Sequence, residues 1–346
     1  MTVTTDILFT RRSFTIAASA LAASGLGVHI AGAADAKMKA VQYAEFGADK
    51  AIGVADASMP KAGTGEVLIK IHAAGVNPID WKVRNGIFAG LVKNTPVIPG
   101  YDVAGEIAAT GAGVTQFKAG DQVYAMLPLT APGGFAEYVA VVADLVAAKP
   151  AKATMEQAAG MPLAALTAYQ AVIVDGKLSK GQTVLIHGAG GGVGHFAVQI
   201  AKAHGATVIG TGSEKSIDFI KSIGADKTVN YKTEKFEDIA KDVDLVFDTV
   251  GGETLARSLA VVKKGGGIVS LQGAPDAAAA EKAGLAVAKH TVVSPNGAHL
   301  KAIAALVDSG ALKTEVSKIY SLNEAAEALK QSEVGGNRGK LVIKVL

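Results

Sequence analysis

The segment Val184-Leu-Ile-His-Gly-Ala-Gly-Gly-Gly-Val-Gly194 sets an apolar strand-forming run directly before a glycine cluster, with an amphipathic helical pattern after it. Gly188, Gly191 and Gly194 have G-x-x-G-x-x-G spacing. In that context glycine lets the backbone turn sharply, approach a pyrophosphate and pack a helix on its sheet. Gly192 and Val193 open the helix, whose free N–H groups and positive end would face the phosphates. An acid about 20 residues further on would bond a ribose 2′-hydroxyl. Thr211-Gly-Ser213 stands there instead, leaving room for a 2′-phosphate held by Ser213, Lys215 and Tyr231. This favours NADPH over NADH. Glu214, one residue beyond, is an alternative ribose acid, and Lys215 can equally be read as a solvated lysine at a helix start.

Other chemistries are excluded by composition. The 346 residues contain no Cys, which removes disulfides, thiolate nucleophiles, iron–sulfur clusters and Cys-containing zinc sites. A chain 49% hydrophobic and 19% charged is globular and fits about two domains. The net charge of +3 is too weak and too evenly spread for a nucleic-acid face. His187, at a strand end, reads as a packed side chain rather than a ligand or acid.

The elements that must position the glycine turn fall into two styles. From Met38 the pattern is short and β-rich, with strands expected at 38–43, 66–74, 103–110 and 122–125, separated by Gly, Pro and Asp turns. From Thr154 strands and helices alternate: helix 164–174, strand 183–187, helix 193–204, strand 207–211, helix 216–223 and strand 245–249. Helix 252–262, strands 267–271 and 291–294 and helix 298–309 continue the series. This alternation predicts an α/β fold with a doubly wound parallel sheet. After Gly310 a strand, a helix and the strand 340–346 suit a return to the first domain, which sets expected domains at 38–153, 154–309 and 310–346.

Six motifs then carry a family likeness: Gly75-Val-Asn-Pro-Ile-Asp-Trp-Lys82, Pro99-Gly-Tyr-Asp-Val-Ala-Gly105, Gly134-Phe-Ala-Glu-Tyr138, the glycine turn, Phe247-Asp-Thr-Val-Gly-Gly252 and Arg338-Gly-Lys340. Over residues 38–346 the chain resembles the zinc-independent, zeta-crystallin-like quinone oxidoreductases of the medium-chain dehydrogenase/reductase superfamily. The resemblance implies a GroES-like catalytic domain, a Rossmann NADPH domain and a substrate cleft between them. It also implies that Asn77, Tyr101 and a place near Leu163 stand where zinc-dependent relatives carry metal ligands, so no metal is expected. Hydride delivery to a quinone or an α,β-unsaturated carbonyl is the chemistry left, with Asn77, Lys82 and Tyr101 as donors to the developing oxyanion. By the same resemblance Thr167, Gly266, Gly267 and Gln272 lie near the nicotinamide, and Arg338 is a further cofactor contact. Blander readings stay open: Asn77 as an Asn-Pro turn starter, Asp80 as the N-cap of a helix, Tyr101 as core, and Trp81 as either cleft or packing.

Thr10-Arg-Arg-Ser-Phe14 before an Ala-rich stretch, with small-x-small sites ending at Ala33 and Ala36, resembles a twin-arginine export signal over residues 1–36. The alternative is a membrane anchor or a cytoplasmic protein with a mis-set start. The expected partners are a small conjugated carbonyl or quinone and the twin-arginine machinery, with no nucleic acid and a homodimer left open. Competing functions are a non-catalytic, crystallin-like NADPH-binding protein and an oxidoreductase specialised for one exported metabolite.

Overall fold

The computed structural model describes residues 36–93 and 95–346; the expected export signal over residues 1–36 lies outside them except for Ala36. β1 (Lys37–Gln42) and β2 (Gly53–Ser58) form an antiparallel pair. β3 (Glu66–Val76) is followed by the short helix α1 (Pro78–Arg84). Then come β4 (Asp102–Thr110), β5 (Gln122–Met126), β6 (Tyr138–Val142) and β7 (Val146–Ala148). Helices α2 (Met155–Ala159) and α3 (Pro162–Tyr169) lead through a π-helical turn, Gln170–Asp175, to β8 (Thr183–Ile186). Next are α4 (Gly194–Ala203), β9 (Thr207–Gly212), α5 (Glu214–Ser222) and β10 (Lys227–Asn230). They are followed by α6 (Phe236–Ile239), β11 (Val243–Asp248), α7 (Gly252–Ser258) and β12 (Val262–Ser270). The last elements are α8 (Ala277–Lys282), β13 (Val287–His290), α9 (Gly297–Ser309), β14 (Val316–Ser321), α10 (Ala325–Val334) and β15 (Lys340–Lys344).

Six strands make a parallel sheet in the order β10-β9-β8-β11-β12-β13. This is the doubly wound order whose direction reverses between β8 and β11, and ligands settle in the crevice beyond the carboxyl ends of those two strands. Val184, Leu185 and Ile186 of β8 are fully buried, as a central strand covered on both faces requires. The second sheet runs β14-β15-β3-β4-β5-β7, with β6 added on β3. β15 pairs antiparallel with β3, Leu341 opposite Val76, so the carboxyl-terminal strand does join the β-rich sheet.

Two expectations need correction. Residues 291–294 form no strand; the sixth strand of the parallel sheet is β13, just before them. The helix expected over 252–262 stops at Ser258, because Val262 already pairs with Val243.

One buried cluster runs through both parts of the fold. It joins Ala73, Ala104, Tyr124 and Met126 of the β-rich sheet to helices α2, α3 and α9 and to β8. α9 is held at both ends: Asn296 Oδ1 accepts from His299 N–H at 2.8 Å, and Gly310 leaves the helix at φ +86°. The buried Tyr124 hydroxyl donates to Leu300 O of α9 at 2.6 Å, fixing the nucleotide half against β5. Tyr124→Phe should therefore lower the stability read from urea unfolding by about 0.5–1.5 kcal/mol, the net worth of one such bond.

Candidate active site

The glycine turn sits at the reversal point of the parallel sheet. Gly188 follows β8 at φ +70°, a conformation that glycine adopts without strain, and a Cβ there would lie 2.4 Å from Thr249 Oγ1 beyond β11. A Cβ on Gly194 would lie 2.1 Å from Gly188 O, so only glycine lets α4 start this close to the turn. Gly191 and Gly192 would meet nothing closer than 3.3 Å and line the cleft. Here the turn leaves backbone open to a ligand, which fits a pyrophosphate. His187 braces it from behind, one ring nitrogen 3.2 Å from Thr211 Oγ1 and the other 3.0 Å from Ser258 Oγ. Burial pushes its pKa down to about 4, so the ring is neutral and structural.

Two cavities meet at Gly188. The first, about 590 Å³, is walled by Gly191, Gly192, Val193, Gly194, Thr167, Gln272, Asn77 and Lys82, with Phe88, Leu91 and Leu129 supplying an apolar side. The second, about 550 Å³, is lined by Thr211, Val229, Tyr231, Glu234, Val250 and Thr254. The two flank the glycine turn, and the apolar side of the first suits a flat substrate. Ser213 and Lys215 stand at the end of β9 and the start of α5, next to the second cavity in sequence but outside its lining. The Thr167 hydroxyl donates to Leu163 O at 2.6 Å, so this residue presents its methyl group and backbone more than a free donor.

Four expected site residues, Tyr101, Gly266, Gly267 and Arg338, are absent from the cleft wall. Tyr101 is 1% exposed; its phenol donates to the backbone oxygen of Leu129, a wall residue, at 3.3 Å and is engaged there. Gly267 is a sheet glycine of β12, where a Cβ would press on Val287 Cβ at 2.9 Å, and Gly266 likewise would meet Asp244 O at 2.8 Å. Arg338 pairs with Glu315 and lies 5.0 Å over the Phe219 ring, in a separate polar groove of about 710 Å³. Trp81 packs into the cluster around Val41 and Val76 and does not line the cleft.

Beneath the cleft lies a buried polar group that composition and spacing do not reveal. Asn77, the N-cap of α1, donates from Nδ2 to Asp102 Oδ2 at 2.8 Å, and its Oδ1 accepts from Lys340 Nζ. Lys340 Nζ also donates to Val76 O at 3.0 Å. Asp102 Oδ1 accepts from Leu163 N–H at 2.7 Å, tying β4 to α3. Asp80 is not the N-cap but the third residue of α1; its Oδ2 accepts from Asn77 N–H at 2.7 Å and its Oδ1 from Gly100 N–H at 3.1 Å. Burial pushes Asp80 up to about 7 and Asp102 up to about 6, against the backbone donors and the Lys340 charge that hold them down. Burial lowers the Lys340 ammonium, and the two aspartates raise it. Pro78, Phe88, Leu91, Leu129, Asp102 and Lys340 thus belong to the site without having been expected there.

The raised aspartates have a signed consequence. Between the ordinary carboxylate range and their folded values the native state binds more protons than the unfolded chain, so their contribution to stability is present at low pH and is lost as pH rises through about 6 to 7. Asp80→Asn should flatten that fall in urea stability between about pH 5 and pH 8, whatever its constant offset. An unchanged slope would mean that Asp80 is already ionised at pH 5.

Comparison with known proteins agrees with this architecture. The family model for the alcohol dehydrogenase GroES-like domain matches residues 63–151, and that for zinc-binding dehydrogenases matches residues 223–343. The chain is 36% identical over 319 residues to the 2-methylene-furan-3-one reductase of Solanum lycopersicum, covering 89% of this chain and 79% of that one. It is 34% identical over 318 residues to the chloroplastic NADPH-dependent alkenal/one oxidoreductase of Arabidopsis thaliana, with the same coverage. The solved quinone oxidoreductase of Coxiella burnetii superposes with a TM-score of 0.83 at 38% identity, over 90% of this chain and all of that one. By fold, sequence and motif order, the chain belongs to the quinone oxidoreductase family of the medium-chain dehydrogenase/reductase superfamily.

Proposed function

We propose that this protein is an NADPH-dependent, zinc-independent reductase of quinones and α,β-unsaturated carbonyls. The observation that carries this is a single cleft in which the open backbone of the glycine turn faces an apolar wall and one fixed amide, Asn77. Residues 154–309 serve as the cofactor-binding part, and residues 38–153 with 310–346 as the catalytic part. The reduced nicotinamide, when bound, supplies a hydride from C4. The chain's own residues do the rest. Gly188 to Gly194 hold the pyrophosphate, Thr167 and Gln272 border the ring, and Phe88, Leu91 and Leu129 keep water from a flat acceptor. Asn77 Nδ2 has one N–H bound to Asp102 and a second directed to the acceptor oxygen, where charge develops; Lys82 adds a cation at the rim. Solvent supplies the final proton, so no buried acid is required.

The residues at the three zinc-ligand places do not fit a metal. Tyr101 is turned to Leu129, Leu163 offers only an apolar side chain, and the Asn77 oxygen already faces the Lys340 ammonium, which would repel a divalent cation. An acceptor that carries its own electron sink suits such a cleft, whereas a saturated alcohol needs a base or a Lewis acid at its oxygen. The amino-terminal signal, read as twin-arginine, would send the folded protein to the periplasm.

Deuterium from C4 of the reduced cofactor should appear at the β carbon of an enone product, and ethanol-like substrates should not be oxidised; label at the carbonyl carbon would contradict the reading. Asn77→Ala should raise the barrier by about 2.7–4 kcal/mol, as loss of an oxyanion donor does, and leave NADPH affinity nearly unchanged.

The cofactor preference rests on Lys215 and Ser213 at the end of β9, with Glu214 between them as the competing ribose acid that would favour NADH. Glu234 lines the second cavity, but its Oε2 is engaged by Asn230 N–H at 2.7 Å. Lys215→Ala should weaken NADPH binding about 10-fold to 150-fold, the worth of a charge-assisted hydrogen bond, and leave NADH binding unaltered. Equal affinity of the unmodified protein for both cofactors would refute the preference.

A further inference from the structure

The geometry points to Lys340 as the positioning residue of this site: its buried ammonium fixes the Asn77 amide and polarises it toward the acceptor oxygen. The inference rests on Asn77 being the oxyanion donor.

Lys340 is 3% exposed and opens β15, beside the end of β3. Gly339 at φ +69° makes that approach possible, since a Cβ there would lie 2.3 Å from Glu315 O. The lysine stem runs past the glycine turn, 3.6 Å from where a Cβ of Gly192 would be, and its head reaches Val76 O and Asn77 Oδ1. Among the described residues no carboxylate oxygen comes within 4.0 Å of Nζ. Asn77 itself lies between the ammonium and the Asp102 carboxylate, accepting from one and donating to the other.

That placement settles which way the amide faces. Reversed, it would set NH2 against an ammonium and oxygen against a carboxylate, two repulsions in a buried space. Held as it is, the amide leaves one Nδ2–H unclaimed at the cleft wall. Lys340 is itself among the cleft-lining residues, but with its ammonium on the amide oxygen it draws electron density from the nitrogen and makes that N–H a stronger donor. A lysine retained only for stability would more economically meet Asp102 directly.

The test is a double-mutant cycle on kcat with an enone acceptor, joined to a measurement without cofactor. Lys340→Met should lower kcat about 10-fold to 100-fold, somewhat less than loss of the donor itself, with the dissociation constant of NADPH nearly unchanged. In an Asn77→Ala background the same change should cost less than about twofold, because the residue it acts through is gone. In the cofactor-free, 15N-labelled protein, the Asn77 side-chain amide signal, assigned by its loss in Asn77→Ala, should shift on Lys340→Met. Should the Met variant not fold, Lys340→Gln, a neutral donor, takes its place with the same expectations. Full kcat in the lysine variant, an unmoved amide signal, losses that multiply in the double variant, or a loss confined to NADPH affinity would each overturn the inference. Full activity of Asn77→Ala alone would instead remove the reading of Asn77 on which it rests.

Discussion

A buried ammonium held by a backbone carbonyl and an amide oxygen is the constraint around which this fold is arranged. Desolvating a lysine is costly unless its donors find acceptors and an opposite charge is near. Val76 O, Asn77 Oδ1 and, through Asn77, Asp102 meet that requirement for Lys340. The residues come from the end of β3, the start of α1, the start of β4 and the start of β15. Satisfying one charge therefore brings four chain segments to one point, and Asp102 extends the tie to α3 through Leu163 N–H.

That point lies across from the glycine turn, and the rest of the site follows from the meeting of two independent geometries. The doubly wound sheet opens its crevice at β8 and β11 because the strand order reverses there, whatever side chains line it. The β-rich sheet presents Asn77 because its last strand anchors the helix start. Tyr124 and the shared apolar cluster hold these halves together. A cleft formed this way has one wall of backbone and one of apolar side chains, suited to a charged dinucleotide beside a flat, uncharged acceptor.

Much of this was legible in the sequence, and what was not has physical reasons. The parallel sheet and glycine turn could be read because they depend on local periodicity and on glycines a few residues apart. Asn77 and Lys82 came from motif likeness and do face the cleft. Tyr101 came the same way and does not, since a phenol can point to either side of a wall and only tertiary packing sends it to Leu129. Gly267 shows the opposite error: a glycine required for close approach, but of a neighbouring strand rather than a ligand. Lys340 stayed hidden because a lysine opening a strand looks solvated, and the amide that takes its charge is 263 residues away. Arg338, two residues earlier, was expected as a cofactor contact by resemblance, yet it pairs with Glu315 outside the cleft.

The central claim is that a fixed amide, not a metal, polarises the acceptor carbonyl. Infrared difference spectroscopy of a 13C=O-labelled enone bound with oxidised cofactor, where no turnover occurs, reads that polarisation directly. The carbonyl stretch should fall below its frequency in water and return toward it in Asn77→Ala. A stretch at or above the aqueous frequency, indifferent to Asn77, would contradict the account.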